Sequence, residues 1–416
     1  MSQHLSQPAA QAGKSQYAST HDEILQAVRE NSVQRGLFFL KSLAALDFDR
    51  IVEAVEQRAK TYDMEVWREA AAAAGVAGSA LDILDSYSPS IPYPYYFCLP
   101  AELVDEPRLI LYYRNVAMVS NKVMNNIGLD TTQHEVGAPL DLDKATQIAS
   151  HLNQILSSLV QHTDLHGENR HIEMAYTNIG ASLDGGWRNE VGRLAYNSIL
   201  IPLITYLHQL GKLDSITYKL KGRIVLNEDD QPRGRARRLN VADLAPAQLE
   251  VTLESLNDNR VVFRQLDLMN GNKVLLNRQL YWLEPGNSRR KHRIGPDLLT
   301  QARGLDDESI EDARYPWAGE LKGGADPAGS DEHWKTATRA FSRIIEAAEK
   351  TRRPRPMLSF LATILVDRVA EEAELMLERG ELTSVYNLTK IANDPALHQQ
   401  FLDDMVRFFE AQSVDE

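Results

Sequence analysis

The stretch Trp317-Ala318-Gly319-Glu320-Leu321-Lys322-Gly323-Gly324, preceded by Ile294-Gly295-Pro296-Asp297, carries the most structural information in this chain. Residues 317–322 read as a short strand. Side chains alternate faces along a strand, so Glu320 and Lys322 point one way while Leu321 points into a core. With Asp297 supplied by a neighbouring strand, two carboxylates and an ammonium converge on one spot. Oxygen ligands of this kind hold a hard divalent cation, and the lysine stands beside the attacking water. The combination suits hydrolysis of a phosphodiester.

Neither half is specific by itself. Glu-x-Lys is also a solvated strand face, and Pro-Asp is also a turn. The sequel adds weight: Gly323-Gly324-Ala325-Asp326-Pro327-Ala328-Gly329 leads directly into Ser330-Asp331-Glu332-His333-Trp334-Lys335-Thr336-Ala337. Strand, glycine-rich turn and helix start follow one another without slack. Ser330 or Asp331 is placed to cap the helix. Trp334, Phe341, Ile344, Ile345 and Ala348 then form a helical apolar stripe. His333 falls in the first turn, close to the end of the strand.

The segment 289–350 resembles the active-site segment of type II restriction endonucleases of the AvaI/BsoBI group, and the related XcyI and XamI families look similar. Two further stretches have the same character, Leu111-Tyr112-Tyr113-Arg114-Asn115-Val116-Ala117-Met118-Val119-Ser120 and Leu382-Thr383-Ser384-Val385-Tyr386-Asn387-Leu388-Thr389-Lys390. The resemblance implies a PD-(D/E)xK nuclease core, magnesium dependence, a homodimer and cleavage of a short palindromic site in double-stranded DNA. By position, Asp297 and Glu320 would be the metal ligands and Lys322 the lysine of the motif. His333 matches a histidine that this group places near the attacking water. Its alternative roles are helix capping or a phosphate contact.

The chain has 416 residues, enough for two or three domains with ample core. An apolar share of 43% with 25% charged residues is ordinary for a globular protein. A single cysteine, Cys98, excludes an intrachain disulfide and a multi-cysteine zinc site. No apolar run approaches the ~18 residues of a membrane helix. Residues 1–20 are polar and lack an apolar signal core, so the expectation is a disordered tail and a cytoplasmic protein.

A net charge of −13 counts against DNA binding at first sight, but distribution outweighs the sum. Arg289, Arg290, Lys291 and Arg293 directly precede the Pro-Asp pair. Arg233, Arg235, Arg237 and Arg238 form a second cluster, and Arg352, Arg353 and Arg355 a third. The first two are the expected DNA contacts, although arginine runs are also solvated faces.

Residues 21–212 read mainly as helices, over 21–29, 37–60, 66–74, 144–160 and 190–210, with Asp143 as a cap. This half is expected to wrap DNA or build the dimer. The run Pro89 to Pro94, with Tyr87, Tyr93, Tyr95 and Tyr96, interrupts the helices and reads as a buried connector rather than a loop that stacks on bases or packs against a partner. From residue 213 the texture changes to strands, over 216–226, 251–256, 260–266 and 273–283, with Asn270-Gly271-Asn272 as a hairpin turn. A buried strand over 356–366, an acidic helix over 367–379 and a terminal helix over 396–411 complete the half 213–416, the expected catalytic domain.

His162 and His166 have helical zinc spacing, with His171 nearby, but Gly167 favours a polar loop. Asp306, Asp307, Glu308, Glu311 and Asp312 form an acidic cluster, one member of which could replace Asp297 as a metal ligand. The overall expectation is an α/β (α+β) protein hydrolysing DNA phosphodiesters to 5'-phosphate ends. The alternatives are a structure-specific repair or recombination nuclease and a non-catalytic DNA-binding protein on the same scaffold.

Overall fold

The computed structural model describes residues 15–87, 89–162, 169–220, 236–258, 261–284, 287–303 and 314–411, with the backbone alone at 220, 280, 283–284 and 287–291. It divides into two compact units, Arg35–Trp187 and Met1–Gln34 together with Arg188–Glu416. The change of texture near residue 213 marks the end of a long helix and the first strand, and both lie inside the second of these units.

The helices before the sheet are α1 (His21–Leu46), α2 (Phe48–Thr61), α3 (Met64–Ala73), α4 (Gly78–Ser86), α5 (Pro100–Asp105), α6 (Leu109–Val116), α7 (Asn121–Asn126), α8 (Leu142–His162) and α9 (Arg170–Gln209). Helix α1 opens on a capping box: the Glu23 N–H donates to Thr20 Oγ1, and the Thr20 N–H donates to Glu23 Oε2. The helix expected over 37–60 is broken at Asp47, whose φ of 50° is left-handed. Asp141, not Asp143, caps α8, accepting the Lys144 N–H at 2.8 Å.

The unit Arg35–Trp187 closes over an apolar core that includes Trp67, Phe97, Tyr112, Tyr113 and Leu152. Asn153 ties it together. Its amide donates to the carbonyls of Ala74 and Cys98 at 2.8 Å each, and its Oδ1 accepts the Cys98 N–H. Tyr93, Tyr96 and Phe97 are buried, so the proline-rich run is a packed connector. Arg114 is buried on Glu135 (Nε to Oε1 2.7 Å) and also donates to the Val119 carbonyl. The 111–120 stretch is therefore a piece of core. His162 lies on the Ser158 carbonyl and His171 on the Tyr112 hydroxyl, while His166 falls outside the described residues. Among the described residues no group of three or more His, Cys, Asp or Glu could hold a metal.

The other unit is built from β1 (Leu213–Leu220), β2 (Arg237–Asn240), α10 (Pro246–Asp258), β3 (Val261–Leu268), β4 (Lys273–Leu276), β5 (Leu280–Glu284), β6 (Asn287–Ile294), β7 (Leu298–Gln301) and β8 (Trp317–Lys322). It continues with α11 (Ser330–Thr351), β9 (Met357–Ala362), α12 (Asp367–Glu378), β10 (Ser384–Asn387), α13 (Leu388–Asn393) and α14 (Pro395–Glu410). Among the described residues, eight strands form one mixed sheet in the order β10-β9-β8-β7-β4-β3-β1-β2, and β5 with β6 makes a separate two-stranded ribbon. Strands β7 and β8 are antiparallel, while β8, β9 and β10 are parallel. A hairpin thus feeds a strand–helix–strand crossover through α11.

Strand alternation splits the core in two. Trp317, Leu321 and Leu361 pack with Leu203, Leu253 and Phe408 from α9, α10 and α14. Ala318, Phe360 and Ala362 pack with Trp334, Phe341 and Ile344 from α11. The helical stripe expected in α11 is therefore the stripe that covers the sheet.

Several expectations are corrected. Residues 251–256 are not a strand but part of α10. Leu249, Leu253 and Leu256 are buried at helical spacing, whereas Val251 is 66% exposed, so tertiary burial overrides the local β preference. The strand expected over 273–283 is two strands, separated at Asn277 with φ 49°. Neither Ser330 nor Asp331 is the cap of α11. Asp326 caps the short turn Pro327–Gly329 ahead of it by accepting the Ala328 N–H. Of the expected tail, residues 1–14 lie outside the described residues, and residues 15–20 are ordered against the sheet unit. The Ser19 N–H donates to the Leu365 carbonyl at 2.7 Å, and Asn387 Nδ2 holds the Tyr17 carbonyl and Ser19 Oγ, so residues 15–20 dock on the sheet unit. Residues 221–226 of the first expected strand lie outside the described residues. The Asn270 turn is present, with Gly271 at φ 91°.

Candidate active site

Strand pairing builds the site. Leu298 lies opposite Gly319, and Leu299 opposite Ala318. One step further, this antiparallel register carries Asp297 abreast of Glu320. The Leu321 N–H donates to Asp297 Oδ2 at 2.9 Å. Lys322, two residues along the same face as Glu320, brings Nζ to 2.8 Å from Glu320 Oε2 and 3.3 Å from Asp297 Oδ2. Trp317 anchors the start of the strand, donating to Ser359 Oγ at 2.7 Å and stacking on Phe408. The sequence-predicted trio thus meets at one end of β8.

Two carboxylates and one ammonium do not balance. Glu320 is buried, and its pKa is pushed up to about 8, by burial first and by the Asp297 charge second. Lys322 opposes that shift but does not cancel it. Burial works against the Lys322 ammonium, yet Asp297 and Glu320 outweigh it and raise its pKa. At neutral pH the trio therefore keeps a proton on Glu320 that a second cation would displace. The donor set is all oxygen, and it supplies two carboxylates. That fits a small hard cation which takes its remaining ligands from water and phosphate. Asp306, Asp307, Glu308, Glu311 and Asp312 lie outside the described residues.

His333 stands over the turn that follows β8, and a Cβ on Gly324 would overlap its ring. Burial, and then the Lys322 charge, lower its pKa, so the imidazole is neutral at neutral pH. Gly323 is needed for close approach. A Cβ there would stand 2.5 Å from Ala195 Cβ and 3.0 Å from the Val191 carbonyl, so α9 presses directly on the strand end.

That approach delivers a residue the sequence did not mark. Tyr196 follows Ala195 in a run that reads only as apolar helix, yet its buried hydroxyl faces the site. Arg264 from β3 is the other. Its Nη1 reaches the Asn277 carbonyl at 3.4 Å, and the Asn277 N–H donates to the Asp297 carbonyl at 2.8 Å.

The basic clusters divide. Arg289, Arg290, Lys291 and Arg293 lie on β6, which runs through Gly295-Pro296 straight into Asp297. Arg293 is exposed, and the side chains of the other three lie outside the described residues. Arg237 and Arg238 lie on β2, the edge strand separated from β7 by β4, β3 and β1. Arg238 is engaged by Asp214 at 3.0 Å and by Ser215. Arg233 and Arg235 lie outside the described residues. In the third cluster, Arg353 stacks over Trp282 and Arg355 donates to the Glu381 carbonyl.

Residues 299–400 match the family model described as Restriction endonuclease BsobI. Glu320, Lys322 and His333 fall inside that match, and Asp297 lies just ahead of it. The type II restriction enzyme BsoBI of Geobacillus stearothermophilus is 46% identical over 78 residues, which is 18% of this chain and 24% of that protein. The type II restriction enzymes AvaI of a Nostoc species and of Anabaena variabilis are 46% identical over 76 residues, with the same shares. The chain resembles the AvaI/BsoBI group of type II restriction endonucleases, and the aligned part spans about a quarter of each relative, 24%.

Proposed function

We propose that this chain is a type II restriction endonuclease with a PD-(D/E)xK core, which hydrolyses double-stranded DNA at a short palindromic site. The observation that carries the reading is the convergence of Asp297, Glu320 and Lys322 at the end of β8, within and beside the segment that matches the family. Asp297 and Glu320 would hold a divalent cation, magnesium in this reading, which when bound acidifies a water and offsets phosphate charge. Lys322 directs that water at the phosphorus and stabilises the charge that builds on the pentacovalent transition state. His333, neutral and beside the strand end, accepts the water's proton. The water oxygen bonds to phosphorus as the bond to the 3'-oxygen breaks. The products are a 5'-phosphate and, once solvent protonates the leaving oxygen, a 3'-hydroxyl.

The β6 cations Arg289, Arg290, Lys291 and Arg293 continue into Asp297 and are the DNA contacts this reading favours. Arg233, Arg235, Arg237 and Arg238 would act further from the cut. The helices of the unit Arg35–Trp187 would serve DNA wrapping or dimerisation. The direct test is digestion of one sequenced plasmid with and without magnesium, with the ends mapped. Discrete fragments with 5'-phosphates are expected only with the metal. Cutting at branched or damaged DNA alone would instead identify a structure-specific nuclease, and binding without cutting a non-catalytic protein.

A palindromic site has two-fold symmetry, and the described residues hold one candidate site, so two copies are needed to cut both strands. Light scattering should give a homodimer. A strict monomer both free and on DNA would contradict that assignment.

A further inference from the structure

Two donors beside the carboxylates have nothing to donate to. The Tyr196 hydroxyl is buried and has no hydrogen-bond partner among the described residues. It feels the Asp297 carboxylate, but their geometry falls short of a hydrogen bond. A phenol keeps its proton at neutral pH, so the hydroxyl is available as a donor. The Arg264 Nε–H is likewise buried and unpartnered among the described residues, and the guanidinium's contact with the Asn277 carbonyl, at 3.4 Å, is long.

Buried donors are almost always satisfied, so two unsatisfied ones at one site call for an acceptor that arrives from outside. The α9 approach that Gly323 permits brings Tyr196 to the site, and the pairing of β3 with β4 brings Arg264.

We propose that Tyr196 and Arg264 form a phosphate subsite beside Asp297, donating through the phenol O–H and the guanidinium Nε–H to the non-bridging oxygens of a DNA phosphodiester at or next to the scissile bond. This rests on the nuclease reading, because a phosphodiester is the oxyanion that would enter together with the cation. The phenol and the guanidinium then orient the phosphate, while Lys322 remains with the water.

The test uses the full chain as Tyr196→Phe, Arg264→Gln and Arg264→Lys. Binding of a random-sequence duplex is measured in calcium over a range of salt, and single-turnover plasmid cleavage in magnesium. A hydrogen bond to a charged group is worth about tenfold to a hundredfold, so Tyr196→Phe and Arg264→Gln should each slow cleavage by that factor. Arg264→Gln should also reduce the salt slope of binding by about one unit, the signature of one lost phosphate contact. Arg264→Lys should restore the slope but not the rate, because it lacks the Nε–H. Tyr196→Phe should leave the slope alone. If both variants cleave and bind as the wild type does, the subsite is refuted while the nuclease reading stands. A wild type that binds but never cuts, with weaker binding in the variants, removes the nuclease reading and keeps the subsite. A wild type that binds no DNA removes both.

Discussion

Glu320→Gln is expected to abolish cleavage, by a thousandfold or more, and at the same time to make the metal-free protein more stable at alkaline pH. The first effect follows from losing a ligand charge at a site whose chemistry depends on several kcal/mol of charge stabilisation. The second follows from burial. The Glu320 carboxyl has a folded pKa near 8 against 4.5 for a free glutamate, so the folded state holds its proton more tightly. The stability this contributes is complete below the unfolded value and is lost as pH rises through about 8. Each unit is worth about 1.4 kcal/mol. At pH above 8 the variant is therefore expected to be more stable than the wild type, by on the order of 1–2 kcal/mol. Thermal melts in chelator across pH 6–9, beside a plasmid assay, measure both effects. In the wild type, calorimetry in two buffers should show proton release on cation binding near neutrality, and that release should vanish in the variant. Wild-type cleavage by Glu320→Gln would falsify the site assignment. A lower alkaline melting temperature would show that the buried charge is better compensated than its partners indicate.

The second large effect belongs to His333. If the imidazole takes the water's proton, His333→Ala should slow the chemical step by about two to four orders of magnitude. DNA affinity in calcium should barely move, since the ring is set back against the Gly324 turn. The pH profile provides the separate check. Burial and the Lys322 charge favour the neutral ring, so the wild-type acid limb should lie below the ordinary histidine range, and the variant should lack it. Binding that collapses while saturated cleavage stays normal would make His333 a phosphate contact. A variant that merely unfolds would make it part of the strand-to-helix junction.

How much of this was legible in the residues depends on the range of the forces involved. The period-two placement of Glu320, Leu321 and Lys322 is local stereochemistry, and it holds in the structure. The glycine turn and the apolar stripe of α11 are equally local, as are the acidic helix α12 and the Asn270 turn. The pairing of Asp297 with Glu320 needed only the further assumption that a Pro-Asp strand lies beside the Glu-x-Lys strand.

Other features were settled by contacts distant in sequence. Residues 251–256, with Val251 and Thr252, read as a strand, but burial of Leu249, Leu253 and Leu256 on one face makes them part of a helix. Residues 15–20 look like a polar tail, yet their backbone groups find partners at Leu365 and Asn387. The compact units part at Trp187 and Arg188 inside one continuous helix, where no composition shift marks the chain. Tyr196 and Arg264 reach the site only because α9 closes on Gly323 and β3 pairs with β4. By itself the sequence determined the three charged groups and the strand that aligns two of them, because neighbouring residues share one backbone geometry. Only the tertiary structure decided which buried donors surround that site and how far Glu320 is driven from its ordinary charge state, because desolvation and packing depend on residues that the chain order keeps far apart.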